Sequence, residues 1–324
     1  MYIRSLPIEQ TLGHLLIHNI MGEDGRKVLK KGTRITEKEV AKLGATGHKQ
    51  VDVGIMQPND VHENEAARSL AEALLADAQG WRMTRAVGGR VNIHTQQNGL
   101  LKVNVPRLIA FNTLPYVTLA TRRQHAPLGP SFESTQVATL KVIPYAIPNT
   151  VLEQAMTLAG SILQMVPLQA QRVALLITAD EASTARIQRQ FESATRTRME
   201  RLGSELATVA AVEQDDAQIA ATAQRLLASH DALFIGGQTS IMDIQDTTPR
   251  ALSMIGAKIA LHGAPVEPGN LLALAYHGPK WILCAPGCAK SINANIVDLL
   301  LPRLMAGEQL GPADIAEMGL GGLL

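Results

Sequence analysis

The chain has 324 residues, 46% apolar and 18% charged, a balance that specifies folded globular structure and excludes extended disorder. Aromatic residues make up only 3%, and 30 basic against 29 acidic residues leave a net charge of +1 with no long run of one sign. Neither the stacking platforms of RNA-binding modules nor the field of a nucleic-acid or anionic-membrane binder is therefore expected.

The length implies two or three domains, each large enough for its own core. Residues 1–10 carry Arg4, Pro7 and Glu9 where a secretory leader needs an apolar stretch, and no segment reaches the roughly 18 apolar residues of a membrane span. Two cysteines, Cys284 and Cys288, suit a reducing compartment. A cytoplasmic location with no membrane partner is expected.

In chain order, residues 12–55 alternate short apolar runs with glycine turns and read as a small β-rich unit. Within it Thr36 and Glu39 have capping-box spacing ahead of Val40 and Leu43, and Gly44 supplies a stop, which predicts a short helix between strands. Residues 60–79 place Ala67, Leu70, Ala71, Leu74 and Leu75 on one helical face, with Glu63, Glu65, Arg68, Glu72 and Asp77 off it. From Gly88 the period falls to two: Val91 and Ile93, then Asn98-Gly99, then Leu101, Val103 and Val105, the pattern of a hairpin. Strands at 116–120 and 136–143 flank a turn-rich 126–130, and a helix is expected over 149–164. The domain boundary falls within 148–171. This gives an α+β, β-rich N-terminal region at 1–148, itself divisible into 1–57 and 58–148, and an α/β domain at 149–324.

Beyond Arg172 the pattern changes to continuous apolar runs at 173–178, 206–212 and 232–235, each followed by a loop and a helical stretch. Helices are expected at 183–202, 216–228, 249–254 and 293–305, with further strands at 257–261 and 281–284. Strands buried on both faces read this way, so an open, doubly wound, mostly parallel sheet is predicted. Ligands of such sheets sit beyond the carboxyl ends of the strands.

The loop from Gly236-Gly237-Gln238-Thr239-Ser240 through Asp243 to Asp246-Thr247-Thr248-Pro249 leaves a buried strand and enters a helix. Paired glycines let backbone N–H groups approach an anion, Thr239 and Ser240 add hydroxyls, and a helix N-terminus favours negative charge. Long loops of this kind are disproportionately functional. Asp243 and Asp246 oppose a bare anion, and Asp246 is also placed to cap the helix. Of Asp215-Asp216 one carboxylate should cap the next helix, leaving the other free for a ligand N–H or for Mg²⁺ through water. The loop Pro286-Gly287-Cys288-Ala289-Lys290-Ser291 adds a cation at a helix start. Two thiols without a nearby His pair fall short of a zinc set.

Taken together, Thr178-Ala179-Asp180-Glu181, Asp215-Asp216, Gly236-Gly237-Gln238-Thr239 with Asp246-Thr247-Thr248-Pro249, and Pro286-Gly287-Cys288-Ala289-Lys290-Ser291 resemble, in order and spacing, the molybdopterin-binding domain of molybdopterin adenylyltransferases, molybdenum insertases and competence-damage proteins. The resemblance spans about 172–307. It implies that Gly236, Gly237, Thr239 and Ser240 surround the pterin phosphate and that Asp215 and Asp246 are the acidic residues of activity. Thr178, Glu181, Gln238, Asp243, Pro286, Gly287, Lys290 and Ser291 complete the implied ligand set. Departures occur at Gln238-Thr239, where the family commonly has Thr and Gly, at Ala179, which replaces a glycine, and at Cys288-Ala289, which replaces Asn-Pro. Val266-Glu267-Pro268-Gly269-Asn270 resembles a narrower molybdopterin-binding subgroup, and Lys31-Gly32-Thr33-Arg34-Ile35-Thr36 and Asn98-Gly99-Leu100-Leu101-Lys102-Val103 resemble its companion region.

The expected function is binding of molybdopterin, or its adenylylated form, in molybdenum cofactor biosynthesis or handling. If the protein is an enzyme, the chemistry is adenylyl transfer or metal insertion, with Mg²⁺ and ATP or molybdate as co-reactants. The competing readings are a non-catalytic carrier or chaperone serving other cofactor proteins or a molybdenum enzyme, and a nucleotide-pyrophosphate hydrolase on the same fold. Family precedent suggests a homo-oligomer.

Overall fold

A computed structural model describes residues 1–76 and 79–324; Asp77, expected on the amphipathic helix, lies outside the described residues. The chain divides into two compact units, the first comprising Met1–Gln97, Leu101–Leu128 and Ser134–Met165, the second Asn98–Leu100, Gly129–Glu133 and Val166–Leu324. The main break between the units falls between Met165 and Val166.

In the first unit, Tyr2–Pro7, Gln50–Ile55 and Leu15–Leu16 form an antiparallel sheet with Gln50–Ile55 central. The helix Glu37–Gly44 carries the Thr36/Glu39 capping box and buries Leu43. Gly44 is its last residue rather than a left-handed stop, and the positive φ that follows belongs to Gly47, at 74°. The amphipathic helix is Glu63–Leu74, burying Ala66, Ala67, Leu70, Ala71 and Leu74; Asp60–His62 ahead of it is a strand.

The expected Asn98-Gly99 hairpin is not formed. A type I′ turn needs positive φ at both central residues, and that geometry occurs instead at Gly88 (57°) and Gly89 (69°), where Val87 and Arg90 exchange both backbone hydrogen bonds. Asn98 uses its side chain on Ser131, accepting from the Ser131 N–H at 3.0 Å and donating to its hydroxyl at 2.8 Å. Gly99–Val103 consequently joins a separate sheet with Pro127–Leu128 and Leu163–Pro167. Arg90–Thr95 lies in a four-stranded antiparallel sheet ordered Val117–Thr121, Gln136–Val142, Arg90–Thr95, Trp81–Met83. Val105, read as strand, opens the helix Val105–Asn112, capped by the Asn104 side chain on the Arg107 N–H with Pro106 in the first turn. The next helix, Asn149–Ala159, stops short of the predicted 164 because 163–167 is strand.

The second unit contains the α/β sheet. Its elements are β1 (Arg172–Thr178), α1 (Glu181–Arg201), β2 (Glu205–Val212), α2 (Asp216–Ser229), β3 (Ala232–Gly237), α3 (Thr247–Met254), β4 (Lys258–His262), β5 (Ala273–His277), β6 (Lys280–Ala285) and α4 (Ile296–Met305). The sheet order is β2-β1-β3-β6-β5-β4; the first four strands are parallel, β5 runs antiparallel to β6, and β4 antiparallel to β5. Val173, Leu175 and Ile177 point into one core with Phe191 of α1 and Leu300 of α4, while Ala174 and Leu176 point into another with Ile219 of α2 and Leu252 of α3. Burial on both faces is what the unbroken apolar runs encode, at roughly 1.5–3 kcal/mol for each buried Leu, Ile or Val. β5 was not expected: Ala-Leu-Ala-Tyr-His has no strand signature, and pairing with β6 through a turn at Gly278 (φ 60°) overrides its local preference.

Candidate functional site

Because β1, β2, β3 and β6 are parallel, Thr178, Val212, Gly237 and Ala285 all lie at one edge of the sheet, and four loops emerge there. In the first, Asp180 caps α1 by accepting the Ser183 N–H at 2.7 Å. Gln238 reaches it from the third loop, accepting the Asp180 N–H at 3.0 Å and donating to its carboxylate at 2.8 Å, while the Gln238 N–H donates to the Thr178 carbonyl at 2.9 Å. The hydrogen bonds from Gln238 and then Ser183 hold the Asp180 carboxyl below the usual carboxylate range. Gln238 is thus a latch between two loops. Thr178 is buried beneath it and Glu181 is exposed in the first turn of α1.

In the second loop Asp215 is the cap of α2, accepting the Gln218 N–H at 2.9 Å. Asp216, the other member of the pair, is not free either: Arg250 of α3 binds it bidentately at 2.9 and 3.0 Å, and this bond holds its carboxyl below the usual range. Arg250 also donates to the Gln245 carbonyl, tying α2 to the third loop. Immediately before them, Gln214 donates to the Thr239 hydroxyl at 3.0 Å.

The third loop departs from the expected use of its glycines. A Cβ on Gly236 would lie 2.6 Å from the Phe191 ring, and one on Gly237 would lie 2.7 Å from the Thr239 carbonyl and 3.2 Å from the Thr178 hydroxyl. Neither has positive φ. Gly236 therefore serves the core, and Gly237 lets the chain turn back on itself. Asp246 occupies the cap position of α3 but makes no side-chain cap; its carboxylate instead accepts the N–H groups of Met242 (2.6 Å) and Asp243 (3.1 Å). Those bonds, from Asp243 and then Met242, hold its carboxyl below the usual range. The capping expectation for Asp246 is thereby corrected. Asp243 folds the loop locally, accepting the Gln245 N–H at 2.7 Å.

In the fourth loop Pro286 precedes a 3₁₀ turn, Gly287–Lys290. Gly287 faces the Ser240 hydroxyl, which a Cβ would meet at 4.0 Å. Lys290 lies over the Phe191 ring at 5.3 Å from its centre, and burial, followed by Arg186, holds its ammonium below the usual range. Ser291 presents its carbonyl to Arg198. Sequence reasoning passed over Arg198, which is 5% exposed and clamps this loop. It binds Asp298 bidentately at 2.8 and 3.0 Å and donates to the carbonyls of Ala289 and Ser291 at 3.0 and 2.8 Å. Val266-Glu267-Pro268-Gly269-Asn270 supports the same end of α4: the Pro268 carbonyl accepts the Ile296 N–H at 3.2 Å, and Gly269, at φ 135°, leaves room for the Ile296 side chain.

A polar cavity of about 260 Å³ opens over these strand ends, lined by Gln214, Asp246 and residues 239–242, 247 and 248. Of the residues expected at the ligand, Thr239, Ser240 and Asp246 line it. Gly236, Gly237, Gln238, Asp243, Asp215, Thr178, Glu181, Pro286, Gly287, Lys290 and Ser291 are not among its lining residues. Gln214, Thr247 and Thr248 were not singled out as ligands; the position of Gln214 just ahead of the capping Asp215 was the available signal. Among the described residues no cluster of three or more His, Cys, Asp and Glu could hold a metal ion. The Cys284 thiol is buried and pushed up to about 12, and burial raises Cys288 as well, so both are poor metal ligands.

These features define a mostly parallel α/β domain with a polar cavity at the carboxyl ends of its strands. Residues 174–306 match the family described as "Probable molybdopterin binding domain", so the chain carries a domain of the molybdenum cofactor biosynthesis type. A curated relative, the molybdopterin molybdenumtransferase of Synechococcus elongatus, is 31% identical over 110 residues, covering 33% of this chain and 27% of that protein. The chain thus matches about a quarter of that relative's length. Two solved structures are more distant. A molybdenum cofactor biosynthesis protein from Pyrococcus furiosus is 12% identical with a TM-score of 0.27, covering 98% of this chain and 65% of that one. A molybdopterin biosynthesis moeA protein from Pyrococcus horikoshii is 11% identical with a TM-score of 0.32, covering 94% and 75%. No helix among the described residues is long and apolar enough to cross a membrane.

Proposed function

We propose that the cavity at the β1, β2, β3 and β6 ends binds molybdopterin or its adenylylated form, and that the protein acts in molybdenum cofactor biosynthesis or handling. The observation that carries this reading is the cavity's lining, four hydroxyl residues (Thr239, Ser240, Thr247 and Thr248) with the Gln214 amide, inside the segment that matches the molybdopterin-binding family. Hydroxyls and the α3 start suit a phosphate. Asp246 stays ionised at neutral pH because loop N–H groups hold its carboxylate, and its second oxygen is left to accept from a pterin N–H or from a water of a hydrated Mg²⁺.

Asp215 and Asp246 each commit one carboxylate oxygen to backbone N–H groups. What remains suits a hydrated Mg²⁺ shared with a substrate phosphate, which would screen phosphate charge, and does not suit an all-protein metal cage. The chain's own residues position the ligand, which supports binding ahead of adenylyl transfer or metal insertion.

The test is to isolate the full chain and identify any copurifying small molecule by mass spectrometry and by the fluorescence of its oxidised pterin, then to titrate a phosphorylated pterin into the parent and Asp246→Asn. Pterin retention, with affinity reduced about tenfold or more in the variant, is the expected result. Hydrolysis of ADP-ribose-like substrates with no pterin affinity would sink the proposal.

A further inference from the structure

The near-zero net charge of the chain conceals a local imbalance in the first unit. Residues 80–150 hold eight Lys and Arg but a single carboxylate, Glu133, and much of this charge is displayed on one sheet. In the four-stranded antiparallel sheet, Val91, Ile93, Leu119, Leu140 and Val142 are buried on the face that takes helix Glu63–Leu74. Alternation sends Arg82, Arg90, Asn92, His94, Thr118 and Thr139 to the opposite face, where they are half-buried or exposed. No acidic residue belongs to any of the four strands.

Register sharpens the imbalance. Arg90 stands directly opposite Lys141, and Arg82 directly opposite His94, arrangements that disfavour the isolated sheet. Lys141 is relieved by Glu63 at 3.7 Å and by the Gly88 carbonyl. Arg82, Arg90 and Arg122 pair with no carboxylate of the described residues. Between them the neutral polar side chains are already fixed: Asn92 accepts from Arg90 at 3.2 Å and from Thr139 at 2.9 Å, Gln136 donates to Thr139 at 2.9 Å, and Arg122 donates to Ser134 at 3.1 Å.

We propose that this sheet face is a docking surface for an acidic segment of another protein, with Arg82, Arg90 and Arg122 receiving its carboxylates. Guanidinium forks match carboxylates bidentately, and the ladder of Asn92, Thr139 and Gln136 keeps the surface polar and ordered before the partner arrives. Nucleic acid is disfavoured on two counts. The four strands contribute no exposed aromatic side chain to this face for base stacking, and three arginines without a carboxylate partner among the described residues fall well short of the roughly six to ten phosphate contacts that give a strong electrostatic footprint. The proposal is independent of what the second unit binds.

The experiment uses the full chain and fluorescence anisotropy of three labelled probes: a peptide of alternating Asp and Ser, its Asn counterpart, and a single-stranded oligothymidylate of the same charge as the first. The parent should bind the Asp peptide at least about tenfold more tightly than the Asn peptide, with binding weakened by salt. A variant combining Arg82→Glu, Arg90→Glu and Arg122→Glu should lose at least about tenfold in that affinity while retaining its unfolding midpoint. If charge reversal prevents folding, the triple Arg→Gln variant serves in its place, with the same loss expected. Equal binding of the Asp peptide by parent and variant, equal affinity for the Asp and Asn peptides, or tighter binding of the oligothymidylate would each overturn the proposal.

Discussion

Gly236 and Gly237 are adjacent, yet the structure assigns their missing side chains to different tasks, and alanine at each position separates the two. At Gly236 a Cβ would sit 2.6, 2.7 and 2.8 Å from three atoms of the Phe191 ring. Ordinary carbon contacts are about 3.5–4.0 Å, so the ring must retreat by nearly an ångström inside a core where it is fully buried. Overpacking of this kind costs about 1–3 kcal/mol, and Gly236→Ala should lower stability by that amount. At Gly237 the clash is with the backbone carbonyl of Thr239, an exposed residue outside the packed core, with the Thr178 hydroxyl also close at 3.2 Å. Gly237→Ala should therefore cost less than about 1 kcal/mol of global stability. It should instead displace Thr239, break its bond to Gln214, and weaken binding of a phosphorylated pterin about tenfold or more, which corresponds to about 1.4 kcal/mol. Urea unfolding and calorimetric titration of both variants decide the matter. A Gly237→Ala protein that binds like the parent would show that the loop does not read the phosphate. A Gly236→Ala protein of parental stability would show that Phe191 does not need the space.

Two further outcomes follow from buried charge. Glu63 is 4% exposed, and burial raises its carboxyl above the ordinary value despite Lys141 and His62; a folded-state pKa above the unfolded one contributes stability that is fully present below the unfolded value of about 4.3 and is lost as pH rises through the folded value. Glu63→Gln should accordingly raise the thermal midpoint at pH 7 and lose that advantage near pH 4, and a variant less stable than the parent at pH 7 would contradict it. Arg198→Lys keeps the charge but not the fork that binds Asp298 and the fourth loop together, so it should cost about 2 kcal/mol or more in urea unfolding, whereas a loss under about 0.5 kcal/mol would mean that the clamp does not matter.

The second unit was legible because its signals are local. Strands buried on both faces need continuous apolar runs, and the Asp215-Asp216 pair announces the helix that Asp215 caps. The same locality explains the failures. Asn98-Gly99 and Gly88-Gly89 are equally good hairpin dipeptides as sequence, and only the long-range pairing of Arg90–Thr95 with Gln136–Val142 selects the second. Val105 continued an alternating pattern, but Asn104 and Pro106 beside it carried the contrary helix-start signal, which was overlooked.

At the site, residue types were legible while their tasks were not. A Gly-Gly pair at a strand end implies close approach, but whether an anion, a ring or a carbonyl approaches depends on Phe191 in α1 and on the path of the loop. Asp246 likewise stands where a cap is expected. The loop between Gly237 and Asp246 bends back far enough for its own N–H groups to reach the carboxylate first, and Arg250, which would otherwise be drawn to that charge, is taken by Asp216 and the Gln245 carbonyl. Asp180, Asp215, Asp216, Asp243 and Asp246 each have one oxygen or both committed to holding a loop or helix start. The cavity is therefore lined chiefly by hydroxyl and amide groups, and the free Asp246 oxygen is the one charge in its lining that an anionic ligand has to meet through a cation or a ligand N–H.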